Sequence, residues 1–240
     1  MSERAFIDLH CHSGASFDCL SAPREIVRAA SERGLTHLAI TDHDRIDVAL
    51  EARALAPAGL TVIVGEEVKT RDGDLICLFL ERAIEPGLSA IETIAAVREQ
   101  GGLVGIPHPF DRMRGSLLRN ASMAGLAPLV DWIETYNARV VGHGNDDAAA
   151  FAIEHDRPGV AVSDAHSIME IGVAYTALDG DPSTPAGLLA ALPSAEIVPG
   201  RASYVLRFWT PVAKGINRVR GNGRVRPTVA AAAPGRPDRP

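Results

Sequence analysis

Cysteine is scarce in this chain, and no long apolar run interrupts it. Cys11, Cys19 and Cys77 are an odd number without the spacing of a disulfide framework, which indicates a reducing compartment. No stretch is long and apolar enough to span a bilayer, and the first residues lack the apolar core of a secretory signal. We therefore expect a soluble, cytoplasmic protein with no membrane span.

Acidic and basic residues are unevenly distributed along the chain. The net charge of −6 argues against a general nucleic-acid-binding protein. Residues 201–240 nevertheless hold nine Lys or Arg and one acid, Asp238, so this segment carries +8 and residues 1–200 carry −14. We predict one domain over residues 1–200. The basic tail over 201–240 is expected to be largely disordered and able to make weak contacts with nucleic acid.

Strand-like and helix-like segments alternate along the predicted domain. Apolar residues make up 46% of the chain, enough for a sizeable core. Short apolar strands, for example at 36–41 and 103–106, are separated by helical segments such as 90–100. Six or more strands with short helical connections favour a parallel α/β barrel over an open sheet.

Side chains that bind metal ions follow most of the predicted strands. They are His10 and His12; Asp42, His43 and Asp44; Glu66 and Glu67; His108; Glu134; and Asp164 and His166. The C-terminal ends of parallel strands form one rim of a barrel, so these groups are expected to converge. Divalent cations would neutralise the mutual repulsion, and imidazole with carboxylate suits Zn, Mn or Fe. Two metals ~3.5–4 Å apart are the common clamp for phosphate ester hydrolysis.

Five stretches carry these residues: FIDLHCHS at 6–13, LAITDHD at 38–44, GEEV at 65–68, IPHPF at 106–110 and SDAH at 163–166. Their order and spacing, over about residues 5–180, resemble those of the PHP (polymerase and histidinol phosphatase) family. The resemblance implies a distorted (β/α)7 barrel with a trinuclear metal centre at the C-terminal ends of its strands. It also implies two or three divalent ions, drawn from Mn, Zn, Fe and Mg, as cofactors.

The resemblance further implies which residues hold each ion. The first ion would be held by His10, His12 and Asp164. The second would be held by His108, with Glu67 (rather than Glu66) as the bridging carboxylate. The third would be held by Asp18, His43 and His166. Asp164, His166 and His43 are the residues that we expect to take part in catalysis.

One position departs from the family pattern. The family often has a histidine after the glycine that opens the next strand, whereas this chain has Asp74 after Gly73. Asp74 is either an oxygen ligand, which would favour harder metals such as Mn or Mg, or a turn residue. For the substrate we expect Arg112 and Arg114 to bind phosphate, because a guanidinium matches phosphate oxygens in pairs, and Asn137 to line the pocket.

These features predict hydrolysis of a small phosphate monoester, with a nucleotide such as a 3′,5′-bisphosphonucleotide as the nearest family substrate. Three alternatives remain open: a histidinol-phosphatase-like enzyme, an exonuclease acting on short RNA or DNA, and a metal-binding module without activity. A fourth, a C–N hydrolase, would need a metal-bridging lysine, for which Lys69 is the candidate.

Overall fold

The computed structural model describes residues 4–111, 123–203 and 209–225. The strands of these ranges are β1 (Arg4–Asp8), β2 (His37–Ile40), β3 (Thr61–Lys69), β4 (Asp74–Leu78), β5 (Leu103–Ile106), β6 (Trp132–Asn137), β7 (Gly159–Val162), β8 (Tyr175–Asp179) and β9 (Glu196–Val198). The α-helices are α1 (Pro23–Glu32), α2 (Asp47–Leu55), α3 (Ala90–Glu99), α4 (Met123–Leu126), α5 (Gly144–Glu154), α6 (Pro185–Ala191) and α7 (Trp209–Val219). Within these ranges no helix combines the length and the apolar character needed to cross a membrane.

The strands form one curled sheet in the order β7-β6-β5-β4-β3-β2-β1-β8-β9. The sheet curls back on itself, because the backbone N–H of Ala161 in the end strand β7 donates at 2.8 Å to the hydroxyl of Thr176 in β8, the strand next to the other end. Beyond β7, Ala165 forms a parallel bridge with Cys11, which follows β1. The sheet is therefore a nearly closed, distorted barrel, which confirms the predicted fold class.

The strand β4 departs from the expected parallel arrangement. It runs antiparallel to both β3 and β5, since four residues connect it directly to β3 without a crossover helix. In that turn the Thr70 hydroxyl donates to the Gly73 carbonyl at 2.6 Å, and Gly73 has a φ of 144°. The start of β4 consequently lies beside the end of β3, with Asp74 opposite Lys69. This brings Asp74 to the rim formed by the C-terminal ends of the parallel strands.

Apolar side chains fill both faces of the sheet. Ile7, Ile63 and Trp132 belong to the cluster inside the barrel, whereas Ile26 and Val97 belong to the cluster between the sheet and its helices. Successive residues of a strand point to opposite faces, so each strand contributes to both clusters. The barrel interior is packed, which leaves the rim as the place for polar chemistry.

The helix α7 lies in the segment for which the sequence predicts little structure. It begins at Trp209 and ends at Val219. Its buried Asn217 donates to the carbonyl oxygens of Ser16 and Cys19 at 3.1 and 2.9 Å. Residues 209–225 therefore pack on the loop that follows β1, next to the rim.

Candidate metal centre

Eight of the nine predicted metal-binding residues lie together at the rim. Their ligand atoms form three overlapping groups, each spanning no more than 4.8 Å: His12, Asp18, His43 and His166; His10, His12 and Glu67; and His10, His108 and Asp164. The strands β1, β2, β3, β5 and β7 deliver these residues from their C-terminal ends. The assignment of single residues to particular ions stays a prediction.

The middle of the cluster is formed by two imidazoles and two carboxylates. The Nε2 atoms of His10 and His12 lie 3.0 Å apart. Oxygens of Glu67 and Asp164 lie between 3.4 and 3.7 Å from these nitrogens. All four side chains are buried. Nitrogen and oxygen donors facing one point from four directions are the donor set of a divalent ion, so these residues fit a metal.

Hydrogen bonds on the outer side of the two rings orient their ligand atoms. His10 Nδ1 lies 2.7 Å from a Glu134 carboxylate oxygen. The Ser16 hydroxyl donates to Asp42 at 2.6 Å and accepts from Nδ1 of His12 at 3.1 Å. In both rings the proton is held on Nδ1, so the Nε2 lone pair faces the cluster. Sequence reasoning missed Ser16, because a serine in a loop four residues after a histidine carries no periodic signal.

The group around Asp18 is the most exposed part of the centre. Asp18 Oδ2 lies 3.5 Å from His43 Nε2 and 3.4 Å from His166 Nε2. His166 Nδ1 donates to the Asp164 carbonyl at 2.8 Å, which again leaves Nε2 as the ligand atom. Asp18 Oδ1 is buried and has no hydrogen-bond partner among the described residues. A cation would satisfy that oxygen.

The electrostatics of the cluster divide the imidazoles into two kinds. Burial lowers the pKa of His12 to about 4, and the neighbouring His43 adds to the effect. Burial also acts to lower the pKa of His43, but the negative charges of Glu67 and Asp18 outweigh it and raise that pKa to about 10. The pKa of Glu67 is well below its usual range, because the surrounding imidazoles overcome its burial. Cations therefore stabilise this site, and divalent metals would replace the ring protons.

Backbone conformation at the rim is unusual for residues other than glycine. Asp44, His108 and Asp164, each just beyond a strand, have φ values of 56°, 26° and 52°. Such conformations cost on the order of 1–3 kcal/mol each and persist where the surroundings impose them. Two of these three residues, His108 and Asp164, belong to the ligand groups.

The residues predicted to bind substrate have different outcomes. The structure places Asn137 behind the centre, where its side-chain nitrogen donates to Glu134 at 3.0 Å and to Asp164 at 3.1 Å. Asn137 is 1% exposed and orients two carboxylates in this structure, and its contact with substrate stays a prediction. Arg112 and Arg114 lie outside the described residues.

Asp74 reaches the rim but does not join the three ligand groups. Its Oδ1 atom accepts a hydrogen bond from Arg224 at 3.2 Å. Arg224 also donates to Asp44, whose other oxygen accepts from the backbone N–H of Lys69 at 2.7 Å. Lys69 is exposed at the end of β3, whereas most of the clustered ligands are buried, which disfavours a metal-bridging role for this lysine and with it a C–N hydrolase.

A cavity of about 410 Å³ opens above the centre and carries cations that sequence reasoning missed. Arg139 lies buried in its wall, paired with Glu170 at 2.7 Å. Lys214 of α7 lies 4.0 Å from Asp18 Oδ2 and 5.2 Å above the Phe17 ring. No motif in the sequence connects these residues to the ligands. Arg139 reaches the cavity from the end of β6, and Lys214 reaches it through the packing of α7.

The fold is an α/β barrel, and a buried cluster of imidazoles and carboxylates lies at its rim. Together they define the class of barrel proteins that bind divalent metals at the ends of their strands. Within that class, this chain belongs to the PHP family. The PHP domain family matches residues 8–135, and the PHP-associated family matches residues 142–197. The family is one of metal-dependent phosphoesterases.

Three similar proteins illustrate the range of the family. An uncharacterized protein of Methanocaldococcus jannaschii is 39% identical over 114 residues, 43% of this chain and 67% of that protein. A 5′-3′ exoribonuclease of Haemophilus influenzae is 32% identical over 117 residues, 43% of this chain and 42% of the enzyme. A two-domain Bacteroides vulgatus protein containing a predicted PHP-like metal-dependent phosphoesterase superposes with a TM-score of 0.70 at 18% identity, covering 83% of this chain and 66% of that one. The last likeness concerns the fold alone.

Proposed function

We propose that this protein hydrolyses a small phosphate monoester, with a nucleotide such as a 3′,5′-bisphosphonucleotide as the leading candidate. The observation that carries the proposal is the cavity above the metal-ligand cluster. Five of the clustered ligands line it together with Arg139 and Lys214: Asp18, His43, Glu67, His108 and His166. Divalent cations in the floor and fixed cations in the wall suit a substrate with phosphate charge.

The chemistry follows from which ligands face the cavity. The clustered imidazoles and carboxylates would hold divalent metals, which when bound neutralise phosphate oxygens and lower the pKa of an attacking water. His43 and His166 line the cavity beside Asp18, so we propose that they take part in catalysis as ligands that would hold a metal ion against the phosphate charge. Asp164 is fully buried, which suits a ligand that acts from beneath the substrate.

The dimensions and lining of the cavity favour a nucleotide over a larger substrate. A volume of about 410 Å³ is in the usual range for a small-molecule site. Half-buried Phe17 at its wall stacks on His43 and lies under the Lys214 ammonium, so it helps to place both groups beside the cavity.

Nuclease activity is the second candidate, and the similarity to the 5′-3′ exoribonuclease favours it. Substrate length separates the two possibilities. A monoesterase releases inorganic phosphate from mononucleotides, whereas an exonuclease shortens oligonucleotides and loses activity steeply with added salt, since it depends on several phosphate contacts.

The test is phosphate release by metal-stripped protein reloaded with Mn, Mg or Zn. The substrates are bisphosphonucleotides, mononucleotides, histidinol phosphate and short oligonucleotides. We expect metal-dependent release from bisphosphonucleotides that Asp164→Ala reduces at least 10³-fold, a loss of roughly 4 kcal/mol in transition-state stabilisation. The matched control is His143→Ala, which removes an exposed imidazole remote from the ligand groups and should leave the rate unchanged.

Each outcome of the panel has a definite meaning. Shortening of oligonucleotides without release from mononucleotides would replace the monoesterase by the nuclease. Preference for histidinol phosphate would keep the reaction and change the substrate. If metal is bound and no substrate of the panel is hydrolysed, that result would contradict phosphoesterase activity and favour a metal-binding module.

A further inference from the structure

Arg224 occupies an unusual place for a residue of the basic C-terminal segment. It is about three-quarters buried, and its guanidinium donates to Asp44 and Asp74 at the rim. Both carboxylates are themselves buried. A buried arginine between two acids is held by charge on both sides, so it is a fixed part of the rim.

Arg224 matters for the metal centre because of where its partner Asp74 lies. Asp74 lies where the PHP pattern often has a histidine, and an aspartate there adds a negative charge that a neutral imidazole would not. Asp74 is absent from the three groups of ligand atoms, although it borders the same cavity as Glu67 and His108. Among the described residues, Arg224 is the side chain that donates a hydrogen bond to the Asp74 carboxylate.

Arg224 comes from outside the parts of the chain that match the family models. The family matches cover residues 8–135 and 142–197, so residue 224 lies beyond both. Asn217 of α7 and Asn222 attach this segment to the barrel, the latter donating to the Gly14 carbonyl at 3.1 Å. The attachment determines where the guanidinium is placed.

We propose that Arg224 takes the place of a metal ion at Asp74. The guanidinium neutralises Asp74 and Asp44, and its positive charge repels a divalent cation from the side of the centre that Glu67 and His108 share with Asp74. If Asp74 were free to bind metal, the cluster would hold one more tightly bound ion. With Arg224 in place, the chain therefore holds one tightly bound ion fewer. This inference rests on the metal centre of the proposed function, but it does not depend on the substrate or on turnover.

Metal content tests the proposal directly. The protein is stripped with a chelator, reloaded with Mn, desalted and analysed for Mn per chain by mass spectrometry. Arg224→Met keeps the length of the side chain and removes its charge, so it should retain about one equivalent more than the wild type. Arg224→Met combined with Asp74→Ala should lose that gain, because the freed ligand is then missing. Arg220→Met, on the same segment but exposed, is the matched control and should equal the wild type.

A second variant covers the case in which Arg224→Met does not fold. Asp74→His restores an imidazole at the position and withdraws one of the two carboxylates that hold Arg224, so it too should gain about one equivalent. Equal Mn content in folded Arg224→Met and wild type, or no gain in Asp74→His, would overturn the proposal. If the Mn counts follow the expected pattern while no phosphoester is hydrolysed, the proposed function fails and the role of Arg224 stands.

Discussion

Glu66 and Glu67 are consecutive residues of β3, and they lie on opposite faces of the sheet. Glu67 belongs to the metal-ligand cluster inside the barrel. Glu66 points into the layer beneath the helices, where one carboxylate oxygen accepts from the backbone N–H of Ile84 at 2.8 Å. Burial raises the pKa of Glu66 to about 8, and the negative charge of Asp44 adds to the shift. The two residues therefore differ in charge at neutral pH, although the sequence presents them as equals.

Substitution of Glu66 by glutamine is predicted to change the pH dependence of stability. Glu66 has a higher pKa in the folded state than the ordinary value of 4.5, so the wild type loses stability as pH rises from about 4.5 to about 8. Glutamine does not ionise and keeps an acceptor for Ile84. The melting temperature of Glu66→Gln relative to that of the wild type should therefore rise between pH 5 and pH 8, and level off above.

The neighbouring substitution provides the contrast for this prediction. Glu67→Gln should reduce the retained metal, whereas Glu66→Gln should not, because only Glu67 faces the cluster. Thermal unfolding in chelator at several pH values, together with metal analysis, separates the two effects. A constant difference in melting temperature between Glu66→Gln and wild type would contradict the raised pKa.

At the scale of elements, the contact between β5 and β6 depends on one missing side chain. Gly105 in β5 lies against the indole of Trp132, the first residue of β6. A Cβ atom at position 105 would come within 2.1 Å of the indole Cε2 atom. Trp132 is completely buried in the barrel interior, so the ring has no room to withdraw. The glycine is needed for close approach, and its φ is ordinary.

Gly105→Ala is predicted to destabilise the protein by about 3 kcal/mol or more, since overpacking a filled core displaces a rigid ring. The measurement is chemical unfolding followed by the fluorescence of tryptophan. Gly125→Ala in α4 is the matched control, because nothing lies within 4 Å of its added Cβ atom. That substitution should leave stability unchanged or raise it slightly, as alanine favours helix. Equal stability of the two variants would show that Trp132 can repack.

The whole molecule is completed by the C-terminal segment, which packs over the loop after β1. Asn217 is 2% exposed and donates to two backbone carbonyls of that loop, at 3.1 and 2.9 Å. Lys214 and Arg224 reach the cavity from the same segment. A segment attached in this way can unfold locally while the barrel stays folded, because few buried apolar contacts support it.

Asn217→Ala is predicted to loosen α7 while leaving the barrel folded. Loss of both hydrogen bonds leaves two buried carbonyls without this donor, at a cost of about 1–3 kcal/mol. Amide hydrogen exchange of residues 209–219 should accelerate roughly tenfold or more, with little change in β1 to β7. Arg218→Ala, exposed on the same helix, is the control. Unchanged exchange in α7 would show that other contacts hold the helix.

Much of this protein was predictable from the linear order of its residues. Short apolar strands followed by His, Asp or Glu predicted the barrel, its rim and seven of the eight clustered residues, because strand ends impose a local pattern that the sequence records. The eighth, Asp18, lies in a loop and was indicated only by the resemblance to the PHP family. The reversed direction of β4, the inward role of Asn137, the link from Ser16 to His12, and the placement of Arg139, Lys214 and Arg224 were decided only by tertiary structure. Each depends on residues far apart in the chain meeting in space. Such contacts leave no periodic pattern in the sequence, because they form only when the helices and loops pack on the barrel.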